Sequence, residues 1–152
     1  MVDNDLQALE DWAIPLLTRL EPGERRKLAR TVATELRRSQ RTRIRRQLNP
    51  DGTSYVPRRR IRSKAGAIRR GAMFQKITRA KYLKTKTSTD SAEVGFVGRV
   101  ARIARVHQYG ERDRVDRDGP EVRYPERRLL GFTHADRELI RDLLLDHLNG
   151  DV

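Results

Sequence analysis

The 152-residue sequence has no cysteine, few aromatic residues and no long apolar run. Without cysteine the chain cannot form disulfides, thiolate metal sites or a cysteine nucleophile. No apolar stretch approaches the ~20 residues that cross a bilayer, so we expect no membrane contact. Aromatic residues make up 5% of the chain, which is few for stacking on single-stranded nucleic acid. The acidic start lacks the layout of a secretory signal, and we expect a soluble protein made in the cytosol.

Motifs for catalysis or cofactor binding are also missing. The sequence contains no GxxxxGK[ST], GxGxxG or GxSxG pattern. The histidines His107, His134 and His147 stand on different predicted elements, and none has a second ligand at metal spacing. We therefore predict no enzymatic activity, no cofactor and no metal site.

Acidic residues are scarce in the centre of the chain. The net charge is +13, but residues 25–86 hold 22 Lys and Arg against two acids, Glu35 and Asp51, a balance of +20. The remaining residues hold 12 basic and 19 acidic side chains, a balance of −7. Such a division favours a polyanion or an acidic protein surface as the neighbour of the central segment.

Residues 1–48 predict two helices. Leucines at helical spacing indicate an amphipathic first helix, which Pro15 should kink or split near Ala13. Pro22 suits the first position of a second helix that extends to about Gln47. The second half of that helix, RRSQRTRIRRQ, contains Ile44 as its one large apolar residue. We expect this end to project from the domain and to be completed by a partner.

Residues 49–80 predict a basic arm. The sequence Asn49-Pro50-Asp51-Gly52 is a strong turn signal, and a basic, aperiodic stretch follows it. Within the arm, residues 64–76 are compatible with a helix. Residues 82–97 then predict a β-hairpin whose four-residue loop is Ser88-Thr89-Asp90-Ser91.

Residues 92–110 predict a strand, a tight corner at Gly98 and a short helix that ends at Gly110. The helix has one apolar stripe, formed by Val100, Ile103, Ala104 and His107. The opposite side carries a ridge of three arginines, Arg99, Arg102 and Arg105. As a pattern alone, this is a core strand joined to an amphipathic helix, in which His107 is a hydrogen-bonded core residue.

The remaining sequence completes an α+β fold. Residues 111–121 predict a mobile charged loop, residues 122–124 a short strand, and Thr133 with Asp136 a capping box that starts the last helix. We predict a single domain over 1–152, with a helical part at 1–48, the arm at 49–80 and an α+β core at 81–150. Its small antiparallel sheet, the hairpin 82–97 plus the strand near 122–124, would be flanked by N-terminal, central and C-terminal helices.

Two motifs in this core resemble a known family. GFVGRVARIARVHQYG, followed by VRYPERRLLGFT and an acidic–aliphatic terminal helix, is similar to the phage virion morphogenesis proteins, the S-type tail completion proteins of contractile-tailed temperate phages. The earlier segments LEDWAIPLLTRLEPGERRKLART, LRRSQRTRIRRQLNPDGTSYVPRR and MFQKITRAKYLK agree in order, so the resemblance covers nearly the whole chain. The residues that match the two motifs are His107, Gln108, Tyr109, Gly110, Arg123, Tyr124, Pro125, Arg127, Leu130, Gly131 and Phe132.

The resemblance implies a structural protein of the virion, assembled in the host cytoplasm and located at the head–tail junction. It would complete the tail tube and join it to the neck as a ring, of six copies, around the DNA channel. The implied partners are other copies of the chain, the tail tube and the neck or connector proteins, with non-specific contact to passing DNA.

The candidate contact residues are arginines, which can meet the DNA phosphates or the acidic edge of a neighbouring subunit. They are Arg37, Arg38, Arg41, Arg45, Arg46, Arg58, Arg59, Arg60, Arg99, Arg102 and Arg105. We expect the two motifs to pack together, with Tyr124 and Phe132 against the apolar stripe of the helix before Gly110.

Two other functions remain open. A small basic nucleic-acid-binding protein is the alternative, although the sequence lacks a helix-turn-helix pattern. A nuclease is a third possibility, and it predicts metal-dependent cleavage.

Overall fold

The computed structural model describes residues 2–58 and 71–150, which form four helices and two antiparallel two-stranded sheets. The helices are α1 (Val2–Leu17), α2 (Pro22–Arg45), α3 (Val100–Tyr109) and α4 (His134–Leu148). Strands β1 (Leu83–Thr87) and β2 (Ala92–Phe96) form one hairpin, and β3 (Arg112–Arg114) and β4 (Glu121–Arg123) form the other. The predicted α+β class is confirmed. Among the described residues, no helix is long and apolar enough to cross a membrane.

The chain groups into two compact units. The first unit comprises Met1–Ser39, Lys84–Gly95 and Phe132–Val152, and the second comprises Gln40–Leu83 and Phe96–Gly131. The single domain over 1–152, with its arm at 49–80, stays a prediction.

The first unit is built on helix packing. Its buried residues are Ala13, Leu28, Val32, Leu36 and Leu144, which come from α1, α2 and α4. Partly buried side chains of β2 cover this cluster. Each fully buried aliphatic side chain of this size contributes about 1.5–3 kcal/mol relative to an exposed one.

Helix α4 begins as the sequence predicts. Thr133 is its N-cap, and the Asp136 backbone N–H donates to Thr133 Oγ1 at 3.0 Å. In return, the Thr133 backbone N–H donates to the Asp136 carboxylate at 3.0 Å, which completes the capping box. Ser39 Oγ of α2 donates to the same carboxylate. This buried polar group therefore fixes the start of α4 against α2, and such a cap contributes about 1 kcal/mol.

Helix α1 is not split at Pro15. It continues through Pro15 and ends two residues later, at Leu17. Pro15 cannot donate to the Asp11 carbonyl four residues before it, but because it lies in the last turn this loss affects only the end of the helix. The Thr18 N–H donates to the Ile14 carbonyl at 3.1 Å and closes this end.

The second unit has its own apolar cluster around the end of α2. Its buried residues are Ile44, Tyr55, Met73, Ile77, Val100, Ala104 and Leu129. The prediction that the second half of α2 projects without a core face is wrong, because Ile44 is 0% exposed and Arg43 only 7%. This end of α2 is packed against polypeptide of the same unit.

The stripe predicted for α3 is right for two of its aliphatic members and wrong for one. Val100 and Ala104 are buried, but Ile103 is 46% exposed and Val106 is buried in its place. At the end of α3 the Glu111 N–H donates to the Val106 carbonyl at 2.9 Å, so the chain turns away from the helix axis directly after Gly110.

Residues 111–121, predicted as a mobile loop, contain strand β3 and pair with β4. The register is Arg112↔Arg123, Asp113↔Val122 and Arg114↔Glu121. The predicted strand near 122–124 therefore joins this second hairpin and not the hairpin of β1 and β2. The first hairpin has the predicted four-residue loop, closed by the Ser88 N–H donating to the Ser91 carbonyl at 2.9 Å.

The helix considered for residues 64–76 lies mostly outside the described residues. The described part, residues 71–76, forms turns. Phe74 adopts a left-handed backbone conformation with φ 67°, which a helix cannot accommodate. Met73 and Ile77 nevertheless fill the core of the second unit.

Candidate functional site

The two family-like motifs meet in the second unit, at the end of α3. Gly110 has φ 63° and ψ 45°, and its N–H donates to the Val106 carbonyl to cap the helix. A β-carbon added to Gly110 would lie 3.1 Å from Glu126 N and 3.2 Å from Tyr124 O. Glycine is therefore required here both for the left-handed conformation and for the close approach of residues 124–126.

Gln108 holds the second motif through its side-chain amide. The backbone N–H groups of Leu129 and Leu130 donate to Gln108 Oε1 at 2.8 and 2.9 Å. Gln108 Nε2 donates to the Leu130 carbonyl at 2.9 Å. Residues 124–131 form no helix and no ladder beyond β4, so this glutamine supplies the partners that regular structure would otherwise provide.

Two polar residues of α2 complete this support. Gln40 donates to the Gly131 carbonyl at 2.9 Å and accepts from the Gly131 N–H at 3.2 Å. Arg43, also buried, donates to the carbonyls of Leu48, Arg128 and Leu129 at 2.9, 3.1 and 2.7 Å. We call residues 124–131, held by side chains from other segments, the clamped segment.

Arg127 differs from these residues because it lies within the clamped segment, and its side chain holds the backbone of residues 56–57. It is 3% exposed, and it donates to the carbonyls of Val56 and Pro57 at 2.7 and 3.2 Å. Its Nη1 lies 3.2 Å from Nδ1 of His107, and its backbone N–H donates to the His107 carbonyl at 2.8 Å. Burial, together with the charge of nearby Arg58, lowers the pKa of Arg127.

His107 is a packed, neutral residue. Its ring lies edge-on to those of Phe74 and Tyr124, with both centroid separations at 4.8 Å. Burial, helped by the charges of Arg127 and Arg58, lowers the pKa of His107 to about 4. Because a guanidinium can only donate, Nδ1 of His107 accepts, and the ring proton sits on Nε2. The expected packing of Tyr124 on the histidine of the α3 stripe is therefore observed.

The other motif residues have different positions. Gly131 faces Pro50 so closely that an added β-carbon would lie 2.6 Å from Pro50 Cγ. Arg123 Nε donates to the Gly110 carbonyl at 3.4 Å, and Pro125 is partly buried. Tyr109 is 68% exposed. Phe132 is 37% exposed and groups with the first unit, outside the apolar cluster of the second.

The arginine ridge of α3 is occupied by partners from its own chain. Arg102 Nη2 lies 2.6 Å from Asp113 Oδ1, and Arg105 Nε lies 3.3 Å from Glu111 Oε2. Arg99 donates to the hydroxyl of Tyr82 at 3.0 Å, and this hydrogen bond lowers the tyrosine pKa. Asp113 and Glu111 both belong to the segment predicted as a loop, and their ion pairs with Arg102 and Arg105 tie this hairpin to α3.

The arginines of α2 and its continuation are arranged differently. The side chains of Arg45 and Arg46 are exposed and, within the described parts of the chain, form no hydrogen bond or ion pair; the same is true of the Arg58 side chain. Arg38 pairs with Glu35 at 3.2 Å. Arg37 and Arg41 are half-buried, and Arg59 and Arg60 lie outside the described residues. Within the described residues, Arg102 and Arg105 of the α3 ridge are paired with carboxylates, whereas Arg45 and Arg46 at the end of α2 remain free to bind a partner.

Sequence reasoning missed four supporting residues. Gln40 and Arg43 face the clamped segment, Tyr55 Oη donates to the Arg128 carbonyl at 3.2 Å, and Gln47 exchanges two hydrogen bonds with Met73 at 2.7 and 2.9 Å. A signal for three of them was present. In the sequence, Gln40, Arg43 and Gln47 follow the buried Leu36 at helical spacing, although their side chains are polar; Gln47 itself lies just beyond the end of α2.

The geometry offers no catalytic constellation in the part of the chain described. No group of His, Cys, Asp or Glu side chains among the described residues could hold a metal ion. His107 contacts aromatic rings and a guanidinium, and no carboxylate orients it. What the arrangement does is hold an irregular segment in place by hydrogen bonds from side chains of other segments.

Comparisons with known proteins agree with the motifs. The model of the phage virion morphogenesis family matches residues 4–149. The Tail completion protein S of Escherichia phage P2 is 38% identical over 148 residues, which are 95% of this chain and 98% of that protein. No solved structure matches.

Proposed function

The chain belongs to the phage virion morphogenesis family, and from this premise we propose that it is a virion structural protein that completes the phage tail. It caps the finished tail tube as a ring, of six copies, at the head–tail junction, where it meets the neck and surrounds the path of the DNA. The observation that carries this proposal is the similarity, over nearly the full length of both chains, to a tail completion protein.

The polar network of the second unit supports a structural role. The buried residues Gln40, Arg43 and Arg127 and the partly buried Gln108 each hold backbone, and none of them points to a substrate. Buried polar networks of this kind favour one rigid arrangement over several. Rigidity suits a part that must present a fixed surface to neighbours in a particle.

The free arginines support a position near DNA or between acidic neighbours. Arg45, Arg46 and Arg58 are exposed, and no ion pair within the described chain has to be broken before they bind. Contacts of this kind read charge and carry no base sequence, as passage of any DNA requires.

The test of the role is deletion of the coding sequence from its phage or prophage. We expect filled heads and separate tails by electron microscopy, and joined virions when the wild-type chain is supplied. Normal virions in the absence of the chain would refute the proposal. Tight, sequence-specific duplex binding by the purified chain would support a small nucleic-acid-binding protein, and metal-dependent cleavage would support a nuclease.

The arginines are tested by the double variant R45E/R46E. The matched control is K84E/K86E, which changes the charge by the same amount at exposed positions of β1. We expect both variants to fold and only R45E/R46E to lose virion completion. Equal titres from the two variants would show that the end of α2 has no contact in the particle.

A further inference from the structure

Helices α1 and α4 of the first unit expose carboxylates that no cation among the described residues neutralises. Helix α1 contains four acidic residues and no basic one, and α4 contains four acidic residues and two arginines. Glu10, Asp142 and Asp146 are exposed and, among the described residues, form no hydrogen bond or ion pair. Two helices that pack on each other thus both present free negative charge.

Exposed aliphatic side chains stand beside these carboxylates. Ile14 is 55% exposed and follows Glu10 by four positions, so the two share one face of α1. Leu145 is 40% exposed and lies between Asp142 and Asp146 on one face of α4. We call Glu10, Ile14, Asp142, Leu145 and Asp146 the acidic helix face. A protein partner can cover such apolar side chains, whereas a small cation cannot.

The second unit carries the opposite charge. Over the sequence it contains 23 Lys and Arg against 7 Asp and Glu, a balance of +16, while the first unit contains 11 against 14, a balance of −3. At the end of α2 and on the adjoining turns, the side chains of Arg45, Arg46, Lys76 and Arg79 are exposed and, among the described residues, form no hydrogen bond or ion pair. Ile44, Met73 and Ile77 pack these two segments together. We call the four cations the basic helix end.

We propose that the acidic helix face of one copy docks on the basic helix end of the next copy. The inference rests on the proposed function, because it supplies the contact from which a ring of copies is built. An acidic face cannot pair with itself across a two-fold axis without opposing like charges. A contact between two different surfaces instead repeats from copy to copy and closes into a ring or continues as a filament.

Docking of this kind explains why the two sets of arginines differ. Arg102 and Arg105 are neutralised by carboxylates of their own unit, and they have no need of a neighbour. Among the described residues, Arg45 and Arg46 have no such carboxylate partner, and the free carboxylates of α1 and α4 are opposite to them in charge and similarly exposed. The proposed contact would pair the arginines at the end of α2 in one copy with the carboxylates of α1 and α4 in the next.

The experiment is a charge exchange measured by sedimentation velocity. The variants are D142R/D146R, R45E/R46E and the combination of all four changes. Raising the salt from about 0.1 M to about 1 M shortens the screening length from ~10 Å to ~3 Å, so self-association of the wild-type chain should weaken. We expect each double variant to associate about tenfold less tightly or worse, and the combined variant to recover most of the loss.

The matched control is E93R/D118R, which reverses two exposed carboxylates outside the acidic helix face and should associate like the wild type. Circular dichroism confirms the fold of every variant. A wild-type chain that stays monomeric at about 100 μM in low salt overturns the inference, as does a combined variant that associates no better than its parents. If the chain nevertheless restores joined virions to the deletion phage, the proposed function stands and only this contact is wrong.

Discussion

Replacement of Gly110 by alanine tests whether the two motifs are in the close contact described. Gly110 combines a left-handed backbone with tight surroundings, since an added β-carbon meets Glu126 N at 3.1 Å and Glu126 Cα at 3.3 Å. Gly98 provides a matched control in the same unit. Its φ is 68°, close to the 63° of Gly110, but an added β-carbon there has no atom within 4 Å.

The two replacements differ only in the steric contact of the added β-carbon, which occurs at Gly110 and not at Gly98. An alanine in the left-handed region costs roughly 1–2 kcal/mol at either position, and the loss of unfolded-chain freedom returns roughly 0.4–1 kcal/mol. At Gly110 the backbone of residues 124–126 must also move away. That movement stretches the hydrogen bonds Tyr124 N–H to Glu111 O, at 3.0 Å, and Arg127 N–H to His107 O, at 2.8 Å. Crowding of this kind costs about 1–3 kcal/mol.

We therefore expect G110A to be less stable than G98A by about 1–3 kcal/mol, with G98A roughly 0–1.6 kcal/mol less stable than wild type. The assay is urea unfolding followed by far-ultraviolet circular dichroism, with equal m-values required for the comparison. Fluorescence of Trp12 is a poor reporter because this residue packs in the first unit. If the two variants unfold at the same urea concentration, the close approach of the motifs is refuted.

Three further predictions concern the same unit. Val106→Asp, at a position 3% exposed, should unfold it, whereas Ile103→Asp, at 46% exposed, should cost about 1 kcal/mol or less by urea unfolding; the reverse order would contradict the placement of α3. Gln108→Leu leaves two backbone N–H groups without partners and should cost about 2–4 kcal/mol, against about 0.5 kcal/mol for Gln7→Leu on the exposed face of α1. Because burial lowers the pKa of His107 to about 4 from 6.5, the unfolded chain binds a proton first as the pH falls. The contribution of neutral His107 to the free energy of unfolding should be complete above pH 6.5 and should decline as the pH falls toward 4. A His107→Gln variant should lack this decline when the two proteins are compared by urea unfolding at each pH.

Elements with local signals were predictable from the sequence. Pro22 begins α2, Thr133 and Asp136 form the capping box of α4, and four residues join β1 to β2. Each of these signals depends on residues within a few positions of one another. Sequence pattern is most informative where the cause of a structure is that close.

Elements stabilised by distant residues were not predictable in this way. Residues 111–121 look like a loop because charge and aperiodicity are typical of loops, yet Asp113 and Glu111 are neutralised by arginines of α3. Ile103 looks buried because it fits the apolar stripe, yet it is 46% exposed and Val106 is buried. For residues 111–121 the deciding contacts come from another element, α3.

The candidate site was predictable in its motif residues and not in its support. Resemblance to a family identified His107, Gln108, Gly110 and Arg127, which do meet in the structure. The polar residues of α2 that hold the clamped segment were predicted to project from the domain and to be covered by a partner. Their polarity suggested exposure to solvent, but Arg43 is buried and its guanidinium donates to backbone carbonyl groups.

The clamped segment has a consequence for how the molecule matures. Its amide hydrogens should exchange with solvent as slowly as those of a helix, although its backbone follows no regular path. Its contacts also join positions far apart, up to the 91 residues between Gln40 and Gly131. A ribosome must release most of the chain before those partners can meet, so this stretch is expected to order late in folding.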